Sequence, residues 1–148
     1  YKVIHSYSKN LEDRQDLVQE IIIQLWKSFE NYDSNFKYST WMYRIALNVA
    51  ISFYRKERSR EKLSQPFTEG IFHFPDELIS NEKEANLNVL QQFIQELKDL
   101  DKALILLYLE ERSHKEIAQI MGISETNVAT KIGRIKNILK QKFEQIKN

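Results

Sequence analysis

Between Asn31 and Lys62, aromatic and basic residues alternate in a pattern suited to holding single-stranded nucleic acid. Tyr32, Phe36, Tyr38, Trp41 and Tyr43 interleave with Lys37 and Arg44, and Arg55, Lys56, Arg58 and Arg60 follow. Rings offer stacking surfaces to unpaired bases while basic side chains track the backbone. A base turned out of a duplex needs a pocket of rings and backbone polar groups. The competing reading is that the rings are core, and it suits Trp41 and Tyr43 best. Phe36 and Tyr38 sit in or beside the polar stretch NYDSNFK, where a core role is less natural.

A second constellation lies in SHKEIAQIMGISETNVATKIGRIKNILKQKF, beginning at Ser113. Ser113 and Glu116 form an S-x-x-E capping pair at a helix start. Gly122 supplies a tight turn and Ser124 the next N-cap, with Val128, Ile132, Ile135 and Leu139 as the buried face of the last helix. Helix, short turn and capped second helix make a helix-turn-helix, whose second helix enters the major groove by its N-terminal residues. The candidates to read DNA are Ser124, Glu125, Thr126, Asn127, Thr130, Lys131 and Arg134, with Lys136, Lys140 and Lys142 available for phosphates. A plain helical hairpin with a solvated basic face gives a similar pattern; the coincidence of cap, turn and polar tip favours DNA.

The same inventory points away from an enzyme. His5, His73 and His114 are isolated, Asp99 and Asp101 read as helix-boundary residues, and no phosphate-binding glycine loop occurs. With no cysteine there is neither a disulfide scaffold nor a thiolate metal site, and no cofactor is expected. The longest apolar run, Ala103 to Leu109, is far short of the roughly 20 residues of a membrane helix. The chain opens on Tyr1 rather than methionine, so an N-terminal piece is expected to be missing.

The elements that must position these residues are helical. Three glycines and two prolines in 148 residues favour long helices over a turn-rich β fold. Leu11 to Phe29 is amphipathic, with Leu17, Ile21, Ile22, Leu25, Trp26 and Phe29 on one stripe. Ser39 or Thr40 can cap a helix from Trp41 to about Lys62, apolar at Trp41, Ile45, Val49 and Phe53. Both prolines and Gly70 fall between Leu63 and Asn81, which reads as a linker carrying Phe67, Ile71, Phe72 and Phe74. Helical pattern returns over Leu87 to Leu97 and Asp101 to Glu110. Net charge is +1, yet basic residues outnumber acidic ten to seven through Arg60 and eight to four after Glu110, with four to ten between. Two basic blocks around an acidic middle suit a polyanion held at both ends, though surface helices often carry such runs. The expected fold is all-α: two small helical domains, residues 1–62 and 82–148, joined by the linker 63–81, the second a helix-turn-helix.

Taken together the segments resemble the extracytoplasmic-function (ECF) sigma factors over nearly the whole chain. DLVQEIIIQLWKSF (Asp16 to Phe29) is similar to their region 2.1–2.2 helix. STWMYRIALNVAISFYRKERSR (Ser39 to Arg60) is similar to the region 2.3–2.4 helix and is the most specific match. LKDLDKALILLYLEERSHKEIAQIMGISETNVATKIGRIKNILK (Leu97 to Lys140) is similar to region 4.

The resemblance implies a cytoplasmic, nucleoid-associated sigma subunit of bacterial RNA polymerase, working with the core enzyme through the β′ clamp helices and the β subunit. Asp16, Gln19 and Glu20 would dock on the clamp helices. The loop Asp33, Ser34, Asn35, Phe36, Lys37 and Tyr38 would capture a flipped base of the −10 element. Asn48 matches a −10 contact position, and Arg55, Lys56, Arg58 and Arg60 would hold upstream phosphates. The last helix would read the −35 element in duplex DNA, and an anti-sigma factor or other recruiting protein is a further implied partner. Two departures weaken the −35 expectation: Ala129 stands where many relatives carry Arg or Lys, and Gly133 replaces a bulkier residue inside a helix. The alternative is a helix-turn-helix regulator that binds duplex DNA without polymerase, a reading that leaves the basic, aromatic 39–60 helix without a task.

Overall fold

The computed structural model describes residues 2–64 and 82–148, all of whose regular elements are helical. The chain runs α1 (Lys2–Tyr7), α2 (Leu11–Ser28), a 3-10 turn (Phe29–Asn31), α3 (Tyr38–Ser64), α4 (Glu82–Gln95), α5 (Asp99–Leu109), α6 (His114–Met121) and α7 (Glu125–Lys147). The linker aromatics Phe67, Phe72 and Phe74 and both prolines lie outside the described residues.

Each boundary has a local cause. Asn10 accepts from the Asp13 N–H at 2.8 Å, and Glu12 and Asp13 place negative charge on the first turn of α2, where the helix dipole favours it. The start of α3 differs from expectation: the helix begins at Tyr38, the Trp41 N–H bonds the Lys37 carbonyl at 3.1 Å, and Ser39 and Thr40 lie inside the first turn. Ser113 and Glu116 form the full reciprocal capping box of α6. Gly122 ends that helix at φ +69°, a left-handed conformation that glycine adopts without a Cβ penalty. Ser124 caps α7 through the Asn127 N–H at 3.1 Å.

Packing follows the pattern closely in the C-terminal half and departs from it in the N-terminal half. Val128, Ile132, Ile135 and Leu139 are all buried, as their spacing predicts. On α2 only Leu17 and Ile21 are buried, whereas Ile22 and Trp26, and Phe29 at the start of the following 3-10 turn, are exposed, Trp26 at 84%. The expected six-residue stripe is therefore two faces: one packed on α3, the other open. On α3 the buried positions are Thr40, Leu47, Ala50 and Ile51, while Val49 and Phe53 are only partly covered. The stripe is rotated from the expected one because α3 must cover α1, α2 and α6 together.

The two helical sets are packed against one another. The Tyr7 hydroxyl donates to the Asp99 carbonyl at 2.8 Å, and the Arg55 guanidinium meets the Asp99 carboxylate at 2.9 Å. The Tyr43 hydroxyl bonds the Glu110 carboxylate at 2.6 Å, with Arg112 stacked over its ring at 4.9 Å. Lys102 is wholly buried between the Tyr7 and Tyr54 rings, its ammonium 5.0 and 4.7 Å from their centroids and 3.0 Å from Gln95 Oε1. Burial lowers its pKa, and the nearby Asp99 charge opposes that shift.

Candidate nucleic-acid interface

Residues 32–38 form a closed loop built from its own polar groups. The Phe36 N–H bonds the Asp33 carbonyl at 3.1 Å, and the Asp33 carboxylate accepts from the Asn35 N–H at 2.9 Å, an Asx-turn. Asp33 thus shapes the loop and is itself exposed, as are Ser34, Asn35, Lys37 and Tyr38. Tyr32 spans the loop's other side, its hydroxyl donating to the Phe36 carbonyl.

The rings gather at the base of this loop. Tyr32 and Tyr38 are stacked, centroids 4.4 Å apart and 14° from parallel. Trp41 meets Tyr32 edge-on at 5.4 Å and Phe29 at 6.1 Å. Offset stacks and edge contacts are the favourable arrangements for ring quadrupoles. Tyr38 remains 58% exposed; Phe36 is half-buried with the Arg44 guanidinium 5.7 Å over its ring. Trp41 and Tyr43 are both partly buried, but only Tyr43 packs against the buried core, whereas Trp41 meets the rings of Phe29 and Tyr32. Tyr32, one ring of the alternating segment, links loop and helix through its bond to the Phe36 carbonyl and its contact with Trp41.

Farther along the same two helices, an open groove of about 670 Å³ runs between α2 and α3. Asp16, Gln19 and Glu20 stand on one wall; Asn48, Lys56 and Arg60 stand on the other. Residues assigned from sequence to two separate tasks therefore share one cleft. Arg58 is exposed on the same helix, and Arg55 is turned to Asp99. Arg60 pairs with Glu57 at 3.0 Å. Exposed Ile22, Ile23 and Trp26 flank the acidic and amide positions of α2; their spacing alone had placed Ile22 and Trp26 in the core.

In the C-terminal half, α6 and α7 meet as a helix-turn-helix. Glu125, Thr126, Asn127 and Thr130 are exposed at the N-terminal end of α7, and Lys131 is half-buried. Ser124 Oγ is engaged in the cap and Thr130 Oγ1 donates to the Thr126 carbonyl at 3.0 Å. Arg134 forms two bonds, 3.2 and 3.1 Å, to the Asp101 carboxylate. Lys142 pairs with Glu96 and lies 5.2 Å over the Phe93 ring, and Lys136 sits 5.4 Å over Tyr108. Lys140 is 3.9 Å from Glu144. Ala129 and Gly133 are exposed on this helix and add no donor. Among the described residues no group of three or more His, Asp or Glu side chains could hold a metal, and no helix is long and apolar enough to cross a membrane.

Comparison with known proteins follows the same division. Residues 1–60 match the family description Sigma-70 region 2, and residues 87–139 match Sigma-70, region 4. The chain is 30% identical to the ECF RNA polymerase sigma factor SigW of Bacillus subtilis, over 99% of this chain and 83% of that one. It is 28% identical to SigM of the same organism, over 98% and 88%. Among solved structures it resembles CnrH in complex with the cytosolic domain of CnrY (TM-score 0.66, 19% identity, 97% and 79% covered). It also resembles the sigma factor RpoE in complex with the anti-sigma factor NepR from Bartonella quintana (TM-score 0.66, 20% identity, 97% and 88% covered).

Proposed function

Because the chain belongs to the ECF sigma factors of the sigma-70 family, we propose a division of labour between its halves. Residues 1–62 act as region 2, binding core polymerase and the −10 element; residues 82–148 act as region 4, binding the −35 element, with 63–81 as the tether. The protein is an RNA polymerase sigma factor, and the reaction chemistry belongs to the polymerase it directs. The regulator alternative gives way, since a duplex-binding regulator has no use for exposed stacked rings at the head of a basic helix. The proposed place of action is the cytoplasm, on the nucleoid.

The observation that carries the −10 assignment is the exposed Tyr38 ring, stacked on Tyr32 beside a loop that presents Ser34, Asn35 and Lys37 to solvent. An unpaired base finds a ring face there, loop backbone groups for its edge, and Lys37 and Arg44 for the adjoining phosphates. Arg55, Lys56, Arg58 and Arg60 extend the positive track along α3. Asp16, Gln19 and Glu20 bind the polymerase clamp, and exposed Ile22 and Trp26 give that contact the buried apolar centre such interfaces need.

Region 4 reads less. Glu125, Thr126, Asn127, Thr130 and Lys131 can reach base edges, whereas Ser124 is a cap and Arg134 is held by Asp101. Phosphate contacts and DNA shape carry more of −35 recognition here than base readout. By likeness to RpoE, a protein partner of the anti-sigma kind is part of the proposal.

The test is reconstitution. Purified protein should co-purify with core polymerase and direct run-off transcription from a library of promoters, while the protein alone binds duplex DNA weakly. Phe36→Ala and Tyr38→Ala should slow strand opening, read by permanganate footprinting, more than they weaken recruitment. Unchanged opening in both variants would reject the base-capture assignment.

A further inference from the structure

Tyr32 makes three contacts that no other residue of the loop combines. Its ring lies parallel to Tyr38, its edge-on contact to Trp41 ties it to the helix, and its hydroxyl closes the loop at the Phe36 carbonyl. Desolvation first, and then neighbouring Tyr38 and Asp33, raise the hydroxyl pKa, and the donor role itself is fixed by the bond to the Phe36 carbonyl. At the opposite side the Asp33 turn closes on Asn35 and Phe36. The loop backbone is thus fixed on both sides, and Tyr38 has one face covered while the ring as a whole stays largely open to solvent.

We propose that Tyr32 is a positioning residue for base capture: it holds Tyr38 as a preset stacking shelf and fixes the adjoining loop backbone against which the captured base is read. The inference rests on the base-capture reading of the loop and adds to it a residue that does not itself touch the base. A solvated tyrosine free to change rotamer loses that freedom when a base stacks on it; a ring already pinned on one face loses less. The loop carbonyls and N–H groups gain in the same way, because a base edge is distinguished only by polar groups held at fixed positions. An ordinary core tyrosine would bury its ring. Tyr32 instead spends its contacts on a loop and on a ring that face solvent.

The experiment compares Tyr32→Phe, Tyr32→Ala and Tyr38→Ala in reconstituted holoenzyme. The probe is a promoter fork carrying 2-aminopurine at the unpaired −10 position, read by fluorescence during opening, with duplex recruitment and thermal unfolding measured alongside. Tyr32→Ala should slow base capture about tenfold and Tyr32→Phe about threefold, the scale set by stacking and a single polar contact. Recruitment should stay at the wild-type level, and Tyr32→Phe should unfold at the wild-type temperature. If both Tyr32 variants capture the base at the wild-type rate while Tyr38→Ala is slow, the positioning role is wrong and the base-capture reading stands. If Tyr38→Ala is also at the wild-type rate, that reading itself is wrong. If Tyr32→Ala loses capture only in step with lost thermal stability, and Tyr32→Phe is normal in both, Tyr32 is merely structural and the proposal is overturned.

Discussion

The two halves of the molecule differ most in one helix each, α7 and α2, which treat the apolar stripes read from their sequences in opposite ways. In α7 Val128, Ile132, Ile135 and Leu139 are all buried, Ser124 caps its start, and Ser113, Glu116 and Gly122 close the two ends of α6. In α2 and the loop after it, Ile22, Trp26, Phe29 and Tyr38 face solvent. The N-terminal part of α7 buries its apolar face and turns Glu125, Thr126, Asn127 and Thr130 outward, a polar surface suited to phosphates and groove edges. The N-terminal half keeps large apolar groups outside, an arrangement that signals a partner surface rather than a defect of packing.

The sharpest way to break this contrast is a pair of truncations. Ile135→Ala removes a fully buried side chain and should cost about 2–5 kcal/mol of stability, read by thermal or denaturant unfolding. Trp26→Ala removes a larger side chain that is 84% exposed, and should leave stability within about 0.5 kcal/mol. It should nevertheless weaken binding to core polymerase tenfold or more, as central aromatic contacts do. Equal destabilisation by the two variants would dissolve the distinction between the halves.

That distinction also explains what the sequence made legible. The helix-turn-helix was readable because its caps, its glycine turn and its buried face are all local signals, each within a few residues of the next. The all-α class was readable for the same reason. The α2 stripe was misassigned at Ile22, Trp26 and Phe29 because periodicity reports amphipathic character and cannot say whether an apolar face meets the chain's own core or another protein. The α3 face was offset because its burial is set by three neighbours at once, two of them distant in sequence. The task of Tyr32 was not legible, since it depends on how the Asp33 turn aims the chain. Nor were the Arg55–Asp99 and Arg134–Asp101 pairs, which join residues 44 and 33 positions apart.

A smaller effect sharpens the picture of the C-terminal half as locally determined. Ser113→Ala should cost about 1 kcal/mol by removing one arm of the capping box. The Glu116 carboxyl is held below its ordinary pKa, first by the Ser113 backbone N–H and also by the Ser113 hydroxyl, against an opposing desolvation effect. A depressed carboxylate stabilises the fold above its unfolded-state pKa and loses that contribution as pH falls through the folded value. The difference between Ser113→Ala and wild type should therefore shrink as the medium is acidified below the ordinary carboxylate range. Unfolding midpoints measured across that range check it. A gap that widened on acidification would contradict the sign.

Gly133 offers a change in the other direction. A Cβ built there meets nothing within 4 Å, so no close approach requires glycine in this helix. Gly133→Ala should stabilise the protein by up to about 1 kcal/mol, through helix propensity alone. The glycine lies on the exposed face of the proposed DNA-reading helix, so promoter binding by the holoenzyme should be measured beside stability. Gained stability with weakened −35 binding would show that DNA approaches the backbone at this point.

The smallest predicted effect lies where the halves meet. Asp99 and Asp101, both in the first turn of α5, hold Arg55 of the proposed −10 track and Arg134 of the proposed recognition helix. Each arginine is more than half exposed, so either pair contributes at most about 1 kcal/mol. A phosphate can pair with an arginine as a carboxylate does, so in the proposed reading DNA would compete with α5 for these side chains. Asp99→Asn keeps the backbone carbonyl that accepts from Tyr7 while removing the charge that holds Arg55. It should raise the affinity of the isolated protein for a single-stranded oligonucleotide by a few-fold at low salt. The gain should fade as salt rises, because both the lost repulsion and the freed cation are electrostatic. Asp101→Asn should leave single-strand binding unchanged and act on duplex DNA, since Arg134 belongs to the other half. If both substitutions moved both affinities equally, the division of the two basic tracks between single strand and duplex would be wrong, and general charge alone would account for binding.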